Sequence, residues 1–234
     1  MSVDPGFHAL WATPLAVYRF ADADTLNPVI ARMLGVLRIA QCTARGERTD
    51  APFFASDDDL LQRLRTPEGE TLVRFVVGSL QDAVGRANAG HWPPGLNSMK
   101  VAIEGMWFQC SSAGAFHDVH THGNCSWSGV YVVQVDPPER RRAHPLHGAQ
   151  HGVTRFYGPR FSRLGGAHVD LGNAYLQPPH VDVDPVPGQL TLFPSWLPHQ
   201  AMPYDGDSER IVVSFNASVH ATDGTDRLHR FSAG

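Results

Sequence analysis

The sequence predicts a mainly β protein, an antiparallel sandwich or jelly roll carried on a flank of α-helices. Apolar residues recur at helical spacing in two stretches before residue 98, then alternate with a period of two in short runs. Glycine and proline punctuate the second half, at Pro137-Pro138, Pro185 to Gly188, Pro194, Pro198 and Pro203. Those runs are too short and too often broken for helices. Helices followed by many strands indicate an antiparallel rather than an alternating α/β architecture.

Taken in order, Leu15 to Phe20 reads as a strand. Leu26 to Ile39 reads as an amphipathic helix, with Ile30, Met33, Leu34 and Leu37 on one stripe. A second helix spans Glu68 to Asn88 through Leu72, Phe75, Val76, Leu80 and Val84, and Gly90 to Pro94 stops it. The strands that follow are Val101 to Cys110, Ser128 to Val135, Val153 to Tyr157, Gln189 to Phe193 and Arg210 to Val219. With no internal repeat or linker, the 234 residues form one domain: a helical flank and first strand over 1–98, and a jelly-roll core over 99–220. Pro137 to Gly152, rich in Arg and His, reads as a long exposed loop and a flexible cover for the barrel mouth.

Hydrophobic residues at 42% and charged residues at 18% exclude wholesale disorder. A net charge of −4 leaves no basic footprint for nucleic acid, and the one basic run, Arg140-Arg141-Arg142, is read as a solvated loop. Three cysteines, an odd number without zinc spacing, point to a reducing compartment. The start of the chain lacks the pattern of a signal peptide, and no apolar run of about 18 residues appears, so the expectation is a cytoplasmic protein without a membrane partner. Oligomeric state is unknown from these patterns.

Chemistry concentrates in three places. His120-Thr121-His122 approaches a turn at Gly123-Asn124, and residues i and i+2 of a strand project from one face, so both imidazoles can reach one ion. The pair alone is equally a pair of surface histidines. His199 follows in Leu192-Phe193-Pro194-Ser195-Trp196-Leu197-Pro198-His199, where a hydrogen-bonded core histidine is the plainer reading. Arg210 opens the strand Arg210 to Asn216. Alternation sends Ile211, Val213 and Phe215 to an apolar face and Arg210, Val212, Ser214 and Asn216 to the other. A buried guanidinium needs an anionic partner, and its planar fork suits a carboxylate; Asp205, Asp207 and Glu209 are the local candidates.

The segments HTHGNCSWSGVYVV (120–133) and GQLTLFPSWLPHQAMP with RIVVSFN (188–216) resemble the two signature blocks of a bacterial family of 2-oxoglutarate/Fe(II)-dependent oxygenases. The resemblance implies a double-stranded β-helix, a cupin-like jelly roll. It implies iron on His120, His122 and His199, 2-oxoglutarate held by Arg210 with help from Ser214, and no catalytic residue beyond the metal site. The wider superfamily carries Asp where this chain has His122, and some branches keep only two protein ligands, so His122 is either a third ligand or a bystander. Tyr131 and Trp127 are pocket candidates. Two literal H-x-D strings, His168-Val169-Asp170 and His180-Val181-Asp182, lie too close to His199 to leave room for the intervening strands and are read as decoys. The implied reaction is hydroxylation of an amino acid, peptide or small metabolite at the expense of O2. The alternatives are a cupin-type three-His dioxygenase that needs no keto acid and a non-catalytic jelly-roll binding module.

Overall fold

The computed structural model describes residues 12–92, 98–158 and 180–222. Strand β1 (Ala16–Arg19) leads into helix α1 (Ala23–Arg45), followed by β2 (Phe53–Ala55), the single turn α2 (Leu60–Arg63) and helix α3 (Pro67–Ala87). Strands β3 (Met99–Ser111), β4 (Ala115–His120) and β5 (Trp127–Gln134) precede a short helix, α4 (Pro138–Arg142). The chain then forms β6 (Thr154–Tyr157), β7 (His180–Val183), β8 (Gln189–Pro194), β9 (His199–Tyr204) and β10 (Arg210–Ala221).

Both long helices start and stop where local chemistry dictates. Thr66 caps α3 by accepting from the Gly69 N–H, with Pro67 at the first helical position, where its missing N–H costs nothing. Gly46 ends α1 in the left-handed region at φ 68°, which a residue with a side chain adopts reluctantly. The buried stripes Leu26, Ile30, Leu34 and Leu72, Val76, Leu80 cover one face of a six-stranded antiparallel sheet, β1-β8-β5-β10-β3-β2. They pack there on Phe108, Tyr131, Val213 and Phe215. Each such fully buried side chain contributes about 1.5–3 kcal/mol. The opposite face looks onto a four-stranded sheet, β4-β9-β6-β7, and the space between the two sheets is the barrel interior of a double-stranded β-helix.

Two irregularities matter below. In the β5–β10 ladder Val212 pairs with Val132 but Ile211 pairs with Gln134, so Val133 is an extra residue. Asn27 of α1 donates from Nδ2 to the Val133 carbonyl at 2.9 Å. In the β4–β9 ladder His117 pairs with Ala201 and His120 with His199, which leaves one extra residue in β4. Side chains three apart on a regular strand face opposite ways; this bulge turns His117 and His120 to the same side.

The structure corrects the reading of residues 137–152 as a loose cover. They fold into α4 and a 3₁₀ turn over Gly148–Gln150, with Arg141 and His151 buried at 1% and 2% exposure. None of these residues lines the barrel interior. Arg141 is likewise no solvated residue: it ion-pairs with Asp184 and donates to the carbonyls of Asp136, His151 and Pro185. His168-Val169-Asp170 lies outside the described residues. His180 and Asp182 lie on β7, where Asp182 pairs with Arg155 at 2.7 Å, far from any role in the histidine cluster. No helix among the described residues is long and apolar enough to cross a membrane.

Candidate metal and co-substrate site

A pocket between the sheets is lined by His117, His120, His122 and His199 and, from β10, by Arg210, Val212 and Ser214. His120 ends β4 and His199 begins β9, directly opposite each other in the ladder. His122 lies two residues beyond β4, not on a strand as its spacing suggested. A backbone hydrogen bond from its N–H to the Ser195 carbonyl at 2.9 Å holds it there. One ring nitrogen from each of His120, His122 and His199 falls within 4.8 Å of the others.

Their tautomers suit metal ligation. His199 Nδ1 sits 2.9 Å from the Leu197 carbonyl and His120 Nδ1 sits 2.6 Å from the Asp118 carbonyl. A carbonyl only accepts, so each Nδ1 carries the hydrogen and each Nε2 presents a lone pair. His122 Nε2 and His199 Nε2 lie 3.3 Å apart. Burial, reinforced by the neighbouring imidazoles, lowers the pKa of His122 to about 4 and that of His199 to about 3, so both are neutral at pH 7. Three imidazoles with converging ring nitrogens fit a divalent transition metal.

The β10 wall of the pocket brings a cation. Arg210 is 4% exposed, yet its guanidinium makes no ion pair or hydrogen bond among the described residues, and its buried Nε is without a partner. The local carboxylates do not serve it: Glu209 pairs with Arg38 and Asp207 with Arg140. Burial lowers its pKa to about 10, so it stays charged at neutral pH. Ser214 lies on the same face of β10, and Phe193, Val130 and Val212 supply apolar walls.

Two sequence candidates face the wrong way. Tyr131 is fully buried on the helix side of β5, where its hydroxyl donates to Asn27 Oδ1 at 2.7 Å. Alternation on β5 gives the pocket Ser128 and Val130 instead, so Tyr131 does not reach a co-substrate. Trp127 packs into the same helix-side core. Conversely, the pocket includes Trp107, Gln109 and His117, which the sequence reading passed over. The first two were legible, because Met106, Phe108 and Cys110 alternate with them and fill the opposite face. His117 was hidden by the β4 bulge; its ring centroid lies 4.1 Å from that of His120. Among the described residues the second histidine group, His144, His147 and His151, does not bring three ligand atoms together as the first does. His144 Nδ1 accepts from the N–H groups of Leu146 and His147, and His151 Nε2 accepts from the Asp205 N–H at 2.7 Å.

Comparison with known proteins agrees with this chemistry. The model of the 2OG-Fe(II) oxygenase family matches residues 105–216, which contain all three converging histidines and Arg210. No curated protein sequence matches the chain. Among solved structures, AviO1 from Streptomyces viridochromogenes Tue57 superposes with a TM-score of 0.52 at 15% identity, covering 87% of this chain and 90% of that one. HygX from Streptomyces hygroscopicus, solved with nickel and 2-oxoglutarate bound, gives 0.52 at 11% identity, covering 88% and 82%. The non-haem α-ketoglutarate-dependent carbocyclase SnoK from nogalamycin biosynthesis gives 0.53 at 13%, covering 88% and 79%. These likenesses establish the shared fold, and the family match covers the segment that builds the pocket: residues 105–216 are similar to the 2OG-Fe(II) oxygenases, oxidoreductases that use Fe(II) and 2-oxoglutarate.

Proposed function

We propose that His120, His122 and His199 hold the iron, that Arg210 and Ser214 hold the distal carboxylate of 2-oxoglutarate, and that the product is a hydroxylated amino acid, peptide or small metabolite. The observation that carries this reading is the unpartnered, buried Arg210 guanidinium facing the same pocket as three converging imidazole lone pairs. A buried cation without a counter-charge costs on the order of several kcal/mol, and a dicarboxylate answers that cost with a bidentate ion pair.

Bound Fe(II) supplies the activation of O2 that couples oxidation of 2-oxoglutarate to succinate and CO2 with insertion of the second oxygen atom into a substrate C–H bond. The chain's own residues do the rest. Arg210 fixes the co-substrate's far end, Ser214 donates a hydrogen bond beside it, and Val130, Val212 and Phe193 keep water from the carbon skeleton. Trp107, Gln109 and His117 complete the pocket wall that meets the substrate. The three unpaired cysteines, Cys42, Cys110 and Cys125, accord with a cytoplasmic, reducing setting.

Anaerobic titration tests the assignment. Fe(II)-loaded protein is expected to develop a visible charge-transfer band on addition of 2-oxoglutarate, and turnover is expected to release succinate in step with product. A metal-loaded protein indifferent to 2-oxoglutarate would move the assignment to a three-His dioxygenase without a keto acid. Failure to retain Fe(II) or Co(II) would leave a binding module.

A further inference from the structure

The turn that delivers Arg210 into the pocket is tied down almost atom by atom. Asp136, 2% exposed, accepts from the N–H of Asp207 at 2.8 Å and of Ser208 at 3.0 Å through its two carboxylate oxygens. The Tyr204 hydroxyl donates to the Ser208 carbonyl at 2.7 Å and accepts from the Asp136 N–H at 3.1 Å. His151 Nε2 takes the Asp205 N–H, and the Gly152 N–H donates to the Pro203 carbonyl at 2.9 Å. Arg141 closes the network from behind by donating to the carbonyls of Asp136 and His151, each at 3.0 Å.

Packing reinforces the ties. The Tyr204 and His151 rings stack with centroids 5.0 Å apart at 15°. Gly152, at φ 70°, lies against the Tyr204 ring: a Cβ there would come within 2.7 Å of it. A Cβ on Gly206 would come within 2.2 Å of the Tyr204 hydroxyl and 2.7 Å of the Asp136 carboxylate. Both glycines are therefore required by close approach, not only by turn geometry. Arg141 is also a charged neighbour of Arg210, and its positive charge opposes that of the buried guanidinium.

We infer that Asp136 and Tyr204, braced by Arg141 and His151, are positioning residues for Arg210, and that this buttress sets the affinity for 2-oxoglutarate. The inference rests on the assignment of Arg210 to the co-substrate. An arginine buried in an apolar wall pays for each ångström of misplacement in lost bidentate geometry, and it cannot hold itself in place because it has no partner among the described residues. Residues 136–152 thus act from outside the barrel, behind the pocket.

The test is 2-oxoglutarate binding to the Co(II)-loaded protein, measured by calorimetry for Tyr204→Phe, Asp136→Asn and Arg210→Ala. Metal affinity and melting temperature are followed in parallel. Tyr204→Phe keeps the ring and removes only the hydroxyl, so it carries the test if an Asp136 variant fails to fold. The expected result is a rise of about 10- to 100-fold in the Kd for 2-oxoglutarate in both positioning variants, the range typical of outer partners that orient a ligating group. Metal affinity should be unchanged, and with substrate in hand KM for 2-oxoglutarate should rise while kcat is kept. Arg210→Ala should weaken binding further. If Arg210→Ala binds poorly but folded Tyr204→Phe and Asp136→Asn bind like the parent, the buttress is overturned and the Arg210 assignment stands. If all three bind like the parent, the Arg210 assignment itself falls. A parallel loss of metal affinity in the positioning variants would also overturn the inference, since it would mark general loosening of the barrel.

Discussion

The two sheets of the barrel divide the work unequally. The six-stranded sheet holds the three longest of the described strands, β3, β5 and β10, has one face sealed by α1 and α3, and carries an unbroken run of buried residues from Arg210 to Phe215 on β10. The four-stranded sheet has strands of four to six residues, two register shifts between β4 and β9, and exposed Phe116, Val119 and Val181. The larger sheet carries Arg210 and Ser214, while the smaller one carries His117, His120 and His199. On the proposed assignment the dicarboxylate meets the sheet that the helices seal, and the metal sits where the β4–β9 bulges re-aim side chains. Energetically the sheets should therefore fail in different ways.

The largest separation is expected in stability. Phe215→Ala, in the helix-side core at 0% exposure, should cost about 3–5 kcal/mol of unfolding free energy. His120→Ala, on the half-exposed end of β4, should leave the denaturation midpoint of metal-free protein nearly unchanged while abolishing metal retention. Urea unfolding of both variants checks this, and equal destabilisation would erase the distinction between the sheets.

Next in size is the co-substrate. Arg210→Ala should weaken 2-oxoglutarate binding about 30- to several-thousand-fold, the usual cost of about 2–5 kcal/mol for truncating one side of a buried charged pair, and should spare the metal. Arg210→Lys should recover only part, because an ammonium cannot reproduce the bidentate fork. Metal titration of both proteins must show parental affinity for the two parts of the pocket to count as separable.

His122 sharpens the comparison, since it lies off the strand that carries His120. As a third ligand, its loss in His122→Ala should lower Fe(II) affinity by more than the about 10- to 100-fold expected of an outer partner. His122→Asp should still bind metal but lose activity, because it adds a negative charge beside an anionic co-substrate. Full Fe(II) affinity in His122→Ala would reduce the site to two protein ligands.

The smallest effect concerns acid. Burial alone would raise the Asp136 pKa, but the N–H donors of Asp207 and Ser208 outweigh it and hold the carboxyl below its ordinary 3.8. A carboxyl depressed in the folded state stabilises above its unfolded pKa, and that contribution is lost as pH falls through the folded value. The melting-temperature gap between the parent and Asp136→Asn should accordingly be constant above about pH 5 and shrink below about pH 4. A gap that widens in acid would contradict the arrangement.

Legibility from sequence followed the same division. Five of the six strands in the large sheet and both long helices match the alternation or the 3.6-residue stripe, because burial on one face imposes that pattern. Strands β4, β7 and β9 were not anticipated. His117, Asp118 and His120 give β4 no apolar alternation, and Pro203 breaks β9, where a bulge absorbs the missing donor. The same bulges concealed His117. Tyr131 was misplaced for a different reason: its strand is apolar on both faces, so pattern alone could not say which side meets the helices. The Arg- and His-rich segment 137–152 looked like a surface loop because buried Arg141 is satisfied by carbonyls and by an aspartate 43 residues away, contacts that leave no local signature.

The extra residue at Val133, caught by Asn27, has a consequence for how such a chain can change over generations. On a two-residue period, one inserted or deleted residue in β5 exchanges its faces, delivering Tyr131 to the pocket and Val130 to the helices. Length is therefore locked on both partners of that ladder, whereas side-chain identity is not. On the proposed assignment, new substrate preferences within this scaffold are open to single replacements at the pocket-lining Trp107, Gln109 and His117, and closed to indels in β5 or β10.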